Sequence, residues 1–219
     1  MLTFEDIKNN EEIKTYITKA DESLCALGFT EHSFAHVTRT AEDAGYILRT
    51  LGYPERDVAL AQISGYLHDI GNLVNRKNHS LSGAAMAFRI LDKLGFDPAE
   101  IATVTTAIGN HDEGTGVPVD PVSAALILAD KSDVRRTRVR NTETSNFDIH
   151  DRVNYSVKKS ILKINEERTL IKLKLTVDTK YGSVMDYFEI FLARMIMCRK
   201  AAERLNLEFK LIVNEQQLI

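Results

Sequence analysis

The chain has 219 residues, 44% of them hydrophobic, enough apolar material for one domain or for one domain with a small appendage. Lys plus Arg number 28 against 31 Asp plus Glu, a formal charge of −3 that argues against a nucleic-acid binder. No run approaches the ~18 apolar residues that span a bilayer, the N-terminus has no secretion-signal pattern, and Cys25 and Cys198 form no CxxC pair and read as two buried thiols of a cytoplasmic protein.

In chain order, Glu5 to Leu27 is amphipathic and predicts a helix stopped by Gly28. Glu31 to Leu51 predicts a second, stopped by Gly52. Pro54 opens a third that ends in "YLHDIG", and Ser80 to Leu94 predicts a fourth, ended by Gly95. Pro98 and Pro121 stand at the favoured first turn of two more, "PAEIATVTTAIGNH" and "PVSAALILADKSDVRR". Nothing up to about residue 137 alternates as a strand does. The polar stretch 138–147, "RVRNTETSNF", reads as a linker.

Beyond it the pattern changes. "TLIKLKLTVDT" places Ile171, Leu173, Leu175 and Val177 on one face and Lys172, Lys174, Thr176 and Asp178 on the other, a half-buried strand. "SILKIN" and the turn-like "NEER" complete a hairpin with it. Val184 to Leu205 predicts a long helix whose Phe188, Phe191, Leu192 and Met195 are core residues, and "LEFKLIV" (207–213) alternates again. The expected fold is mainly α: a helical bundle over 1–140, then a small α+β unit (β-β-α-β) over 148–219 with a three-stranded antiparallel sheet. That unit could act as a lid, a regulatory sensor or a dimerisation element. Its free strand edge favours pairing with a second copy, so a homodimer is expected.

Chemistry gathers in the helical half. His36, the adjacent pair His68-Asp69, His79, His111 and Asp130 fall mostly at or near expected helix ends, where a bundle can aim them at one centre. A buried carboxylate is costly unless it is paired or binds a metal. Four imidazoles and two carboxylates form a natural ligand set for two adjacent transition-metal ions, with Asp69 as the bridge. Cations stand close by in sequence: Lys131 next to Asp130, then Arg135 and Arg136, and Arg76 and Lys77 before His79.

The ordered set His36, His68-Asp69, His79, His111 and Asp130 resembles the HD-domain metal-dependent phosphohydrolase superfamily over roughly residues 20–137. The resemblance implies an HD-type helical bundle. It implies one ion on His36, His68, Asp69 and Asp130, and a second on His79 and His111 with Asp69 shared. The cofactors are then two divalent transition-metal ions from among Fe, Mn, Zn, Ni and Co. The activity implied is hydrolysis of a phosphate ester or anhydride in a nucleotide or other small phosphorylated metabolite. Asp69 and Lys131 are the catalytic candidates, and Lys131, Arg135, Arg76 and His32 the substrate contacts. A branch of the superfamily uses the same ligands for di-iron oxygenase chemistry, and degenerate members serve as non-catalytic modules; here all six ligand positions are filled.

Three departures from the family pattern stand out. His32, four residues before His36, takes a place where some members carry an acidic third-metal ligand; it could be a ligand, a substrate contact or a partner to a ligand. Asn72 replaces a lysine common after HD-x-G. "NHDEGTGVP" resembles part of the segment of cyclic di-GMP phosphodiesterases, but Asn110 and Val117 replace its histidine and tyrosine, so that substrate is not assigned. Asp112 and Glu113 beside His111 are solvated, support a ligand or shuttle protons.

Overall fold

The computed structural model describes residues 2–141, 143 and 147–219, so the linker expected at 138–147 lies in part outside the described residues. The helices are α1 (Phe4–Lys8), α2 (Glu11–Ala26), α3 (Phe34–Leu51), α4 (Glu55–Leu67), α5 (His79–Lys93), α6 (Pro98–Gly109), α7 (Pro121–Ser132), α8 (Ile149–Ser156) and α9 (Val184–Arg204). The strands are β1 (Val157–Ile164), β2 (Leu170–Val177), β3 (Glu208–Val213) and β4 (Gln216–Gln217). The chain is thus mainly helical, with a small sheet at its C-terminal end. Among the described residues no helix is long and apolar enough to cross a membrane.

Capping chemistry explains where the first elements depart from expectation. Glu5 to Leu27 is two helices, because the Asn10 side chain accepts from Ile13 N and starts a new one. The second expected helix begins three residues late, at Phe34, because Ser33 caps it. Helix α7 ends at Ser132, short of the expected arginines, where Asp133 leaves the helical region at ψ 71°. Cys198 is buried, but Cys25 is exposed: it lies one position past the buried Leu24, off the inward stripe of α2.

Two glycines set the spacing of the bundle. A Cβ on Gly65 of α4 would lie 2.7 Å from the Cα of Ala41 on α3. Only a bare backbone lets these helices cross so closely. A short 3-10 turn, Ile70–Leu73, follows α4, and a Cβ on its Gly71 would fall 2.0 Å from the carbonyl oxygen of His79. The two contacts draw the ends of α3, α4 and α5 together. Gly65→Ala is expected to lower unfolding stability by about 1–3 kcal/mol through overpacking, read in a denaturant titration. A variant with unchanged stability would show that the helices tolerate separation.

The sheet has the order β1-β2-β3-β4. Strands β1 and β2 form the expected antiparallel hairpin, with Ile164 opposite Ile171. Strand β3 corrects the antiparallel expectation: it runs parallel to β2, Ile171 opposite Phe209, because α9 carries the chain back to the starting end before β3 begins. The two-residue β4 adds a fourth strand. Ile171, Leu173, Leu175, Phe209, Leu211 and Val213 form the buried face, in one continuous core with the bundle. Helix α9 packs against both β3 and α7, and Ser160 of β1 donates to the Ser132 carbonyl at 2.6 Å. The C-terminal segment therefore lies directly beside the end of α7 that carries Asp130.

Candidate metal centre

Five elements deliver the six residues. His36 lies in the first turn of α3 and His68 caps α4, with Asp69 next to it. His79 opens α5, His111 follows α6, and Asp130 sits in the last turn of α7. All six are buried, the most accessible being Asp130 at 8%. His36, His68 and Asp130 bring donor atoms within 4.8 Å of one another, and so do His68, Asp69 and His111. His79 joins through His111, its Nε2 lying 3.1 Å from the Nε2 of that ring.

The proton positions follow from the Nδ1 partners. His68 Nδ1 lies 2.8 Å from the Gly65 carbonyl, His79 Nδ1 3.1 Å from Arg76 O and His111 Nδ1 2.6 Å from Ile108 O. A carbonyl only accepts, so each Nδ1 carries a hydrogen and each Nε2 points inward. His36 Nδ1 donates to Asp133 Oδ2 at 2.8 Å. The His36 and His68 Nε2 atoms face each other at 3.2 Å. Burial holds the pKa values of His79 and His111 below the usual histidine value. Two neutral imidazoles then aim lone pairs at each other, an arrangement that needs a cation between or beside them.

The carboxylates reinforce that demand. Asp69 Oδ2 lies 3.2 Å from His68 Nε2 and 3.5 Å from His36 Nε2, while its Oδ1 lies 3.4 Å from His79 Nε2. Its two oxygens thus face different histidine pairs. Asp130 Oδ1 lies 3.4 Å from His36 Nε2. Burial disfavours a charged His68, yet Asp69 and Asp130 push its pKa up to about 10. Burial also disfavours both carboxylates in their charged form, and the charge of His68 on Asp69 and of Lys131 on Asp130 holds them well below the usual range. A soft-to-borderline nitrogen set with charged oxygens fits divalent transition metals.

Neighbouring residues orient the donors. Asn72, at the position where the family pattern has a lysine, donates from Nδ2 to Asp69 Oδ1 at 2.9 Å and fixes that carboxylate. Asp133, fully buried, turns back from the end of α7 to hold His36, and Arg135 Nε donates to it at 2.7 Å. Burial would raise the Asp133 pKa, but His36 and Arg138 hold it far below the carboxylate range. Asp133→Asn removes the charge and permits the wrong His36 tautomer. It is expected to weaken metal affinity about 10–100-fold at unchanged fold, measured by competition with a chelating dye; unaltered affinity would remove Asp133 from the site.

The cations divide in two. Lys131 is buried, 2.7 Å from Asp130 Oδ2 and 3.3 Å from Glu113 Oε1. Arg76 reaches Asn72 Oδ1 at 3.2 Å and lies 3.9 Å from Asp69 Oδ1. Arg135 turns instead onto Asp133 and Glu31, and Arg136 stacks on Tyr155 at 4.4 Å. Both of these line a separate surface hollow. His32 Nδ1 bonds the Thr30 carbonyl at 2.7 Å, and its ring lies 5.6 Å from that of His36.

Next to the cluster opens a cavity of about 240 Å³. His32, Arg76, Arg138 and Arg194 contribute polar groups, and Phe29 and Phe191 supply aromatic surface. Helix α8, not expected from the sequence, adds Asp148 at its N-cap, His150, Asp151 and Asn154. Arg194 of α9 forms an ion pair with Glu113 Oε1 at 2.5 Å, and Lys131 and Arg194 offset the burial of Glu113, holding its pKa at about 2. A chain of charges thus runs Arg194–Glu113–Lys131–Asp130 from the C-terminal helix to the cluster. Asp133, Arg138 and Arg194 had no role in the sequence reading. Asp133 alone left a signal there, three residues after Asp130 on the same helix end.

Comparison with known proteins finds a family and several relatives. The HD domain family model matches residues 33–189. The uncharacterized protein MJ1020 of Methanocaldococcus jannaschii is 24% identical over 205 residues, covering 83% of this chain and 78% of its own. A second uncharacterized protein of that organism, MJ0778, is 34% identical over 76 residues, 35% of this chain and 42% of its own. A crystal structure of a predicted HD superfamily hydrolase from an uncultured Thermotogales bacterium is 27% identical with a TM-score of 0.44, over 57% of this chain and 67% of that one.

Proposed function

The chain belongs to the HD domain family, and from the geometry of its histidine–aspartate cluster we propose that it is a phosphohydrolase dependent on two divalent transition-metal ions. The observation that carries this reading is the facing pair of Nε2 atoms on His79 and His111, each ring fixed with its hydrogen on Nδ1. His36, His68, Asp69 and Asp130 would hold one ion, and Asp69, His79 and His111 the other. Bound there, such ions acidify water and polarise a phosphoryl oxygen. Candidate metals are Mn, Fe, Co, Ni and Zn.

The chain's own residues prepare the rest of the reaction. Asp69 directs one oxygen to each histidine pair and is itself held by Asn72. Lys131 keeps a positive charge against Asp130, where negative charge grows on a phosphoryl group in transit. Arg76, Arg138 and Arg194 outnumber Asp148 and Asp151 in the lining of the adjacent cavity, and Phe29 and Phe191 give it apolar surface. A cavity of about 240 Å³ is of a size for a small phosphorylated metabolite and not for a folded polymer.

The test is release of inorganic phosphate from a panel of nucleotides, sugar phosphates and pyrophosphate by the metal-loaded protein. Turnover that disappears with a chelator and returns with added metal supports the reading. A loaded protein that releases phosphate from none of them would overturn it.

A further inference from the structure

Helix α9 carries a second pattern on the face turned away from the core. Met185, Glu189, Leu192, Ile196, Arg199 and Glu203 follow one another at intervals of four and three residues, and all are exposed. That spacing keeps them on a single line along the helix, the seam pattern of paired helices. The apolar members are well exposed, Met185 at 75%, Leu192 at 49% and Ile196 at 39%. Ala193 beside them adds no bulk to hold a neighbour away. Among the described residues, Glu189, Arg199, Lys200 and Glu203 form no ion pair within the chain. Arg194 points the opposite way, onto Glu113, so the line lies outside the metal pocket.

We propose that this line is a self-association surface on which a second copy of the chain lays its own α9 antiparallel. The order of residues specifies the direction. About a two-fold axis beside position 194, Leu192 meets Ile196 of the second copy, and Glu189 meets its Arg199. The same two pairs recur on the other side of the axis, as an isologous contact requires. A parallel pairing in register would set Glu189 on Glu189 and Arg199 on Arg199, which like-charge repulsion disfavours. The helix that carries the seam is about 31 Å long for its 21 residues. Val117 and Val119, exposed on a loop held to the end of α9 by Arg204, can widen it. A strand-edge pairing competes poorly, since Arg39 already donates to the Ser160 carbonyl on the open edge of β1 and Tyr46 accepts from Ile164 N.

The test is the mass of the full chain by light scattering over a concentration series. Wild type is expected to reach the mass of two chains. Leu192→Glu and Ile196→Glu should each give one chain, with unchanged circular dichroism. Glu189→Arg and Arg199→Glu should each weaken the dimer about tenfold or more, and the two together should restore it. Because these four positions are exposed, all variants can fold. A monomeric wild type at every concentration would overturn the proposal. So would a dimer indifferent to Leu192→Glu, or a charge-exchanged double variant no better than the singles. Phosphate release by a monomeric variant separates failure here from failure of the hydrolase reading.

Discussion

Asp69→Ala is expected to abolish metal binding at one position, weaken it at the other and reduce phosphate release by about 10³-fold or more. Its two oxygens face different histidine pairs, so no other residue in the cluster can serve both. The loss is compounded electrostatically, because Asp69 and Asp130 together supply the negative charge that draws cations toward the ring nitrogens. Asp69→Asn, nearly the same shape, should fail almost as badly, which separates charge from packing. Metal content by elemental analysis and rate by phosphate release should fall together. Full activity in Asp69→Ala would refute the metal mechanism.

The second large effect is expected far away in sequence. Arg194→Ala should lower kcat/KM about 10–100-fold, the range for losing one cationic contact to a charged substrate, with metal content unchanged. Arg194 lines the cavity and shares Glu113 with Lys131, so its loss removes a cation from the cavity wall and leaves Lys131 to balance both Glu113 and Asp130. Arg194→Lys should recover part of the rate. Steady-state kinetics at several ionic strengths, with metal analysis alongside, decide the matter. An unaffected kcat/KM would confine α9 to packing and to the surface opposite.

The candidate centre was legible in the sequence because chemistry constrains it tightly. Imidazole and carboxylate residues at helix ends, in one order, can be read without knowing how the helices cross. The structure brings His36, His68, Asp69, His79, His111 and Asp130 together, as that order implied. What surrounds them was not legible, because it depends on contacts between distant segments. Arg194 lies 81 positions beyond Glu113 and 63 beyond Lys131, and no local pattern links them. Asp133 looked like one more polar residue at a helix end until the turn at its own ψ brought it back to His36. Alternation identified β2 and β3 as strands but carries no information about their relative direction, which the crossover through α9 decides. The break between α1 and α2 rests on a single cap by Asn10, easily hidden in a continuous amphipathic pattern.

The most direct measurement is elemental analysis of the anaerobically purified full chain, with metal counted against protein. Two equivalents of Mn, Fe, Co, Ni or Zn per chain are predicted, falling to one or fewer in Asp69→Ala. One equivalent would contradict the assignment of His79 and His111 as ligands, and a protein that takes up no metal even after reloading would contradict the metal centre altogether.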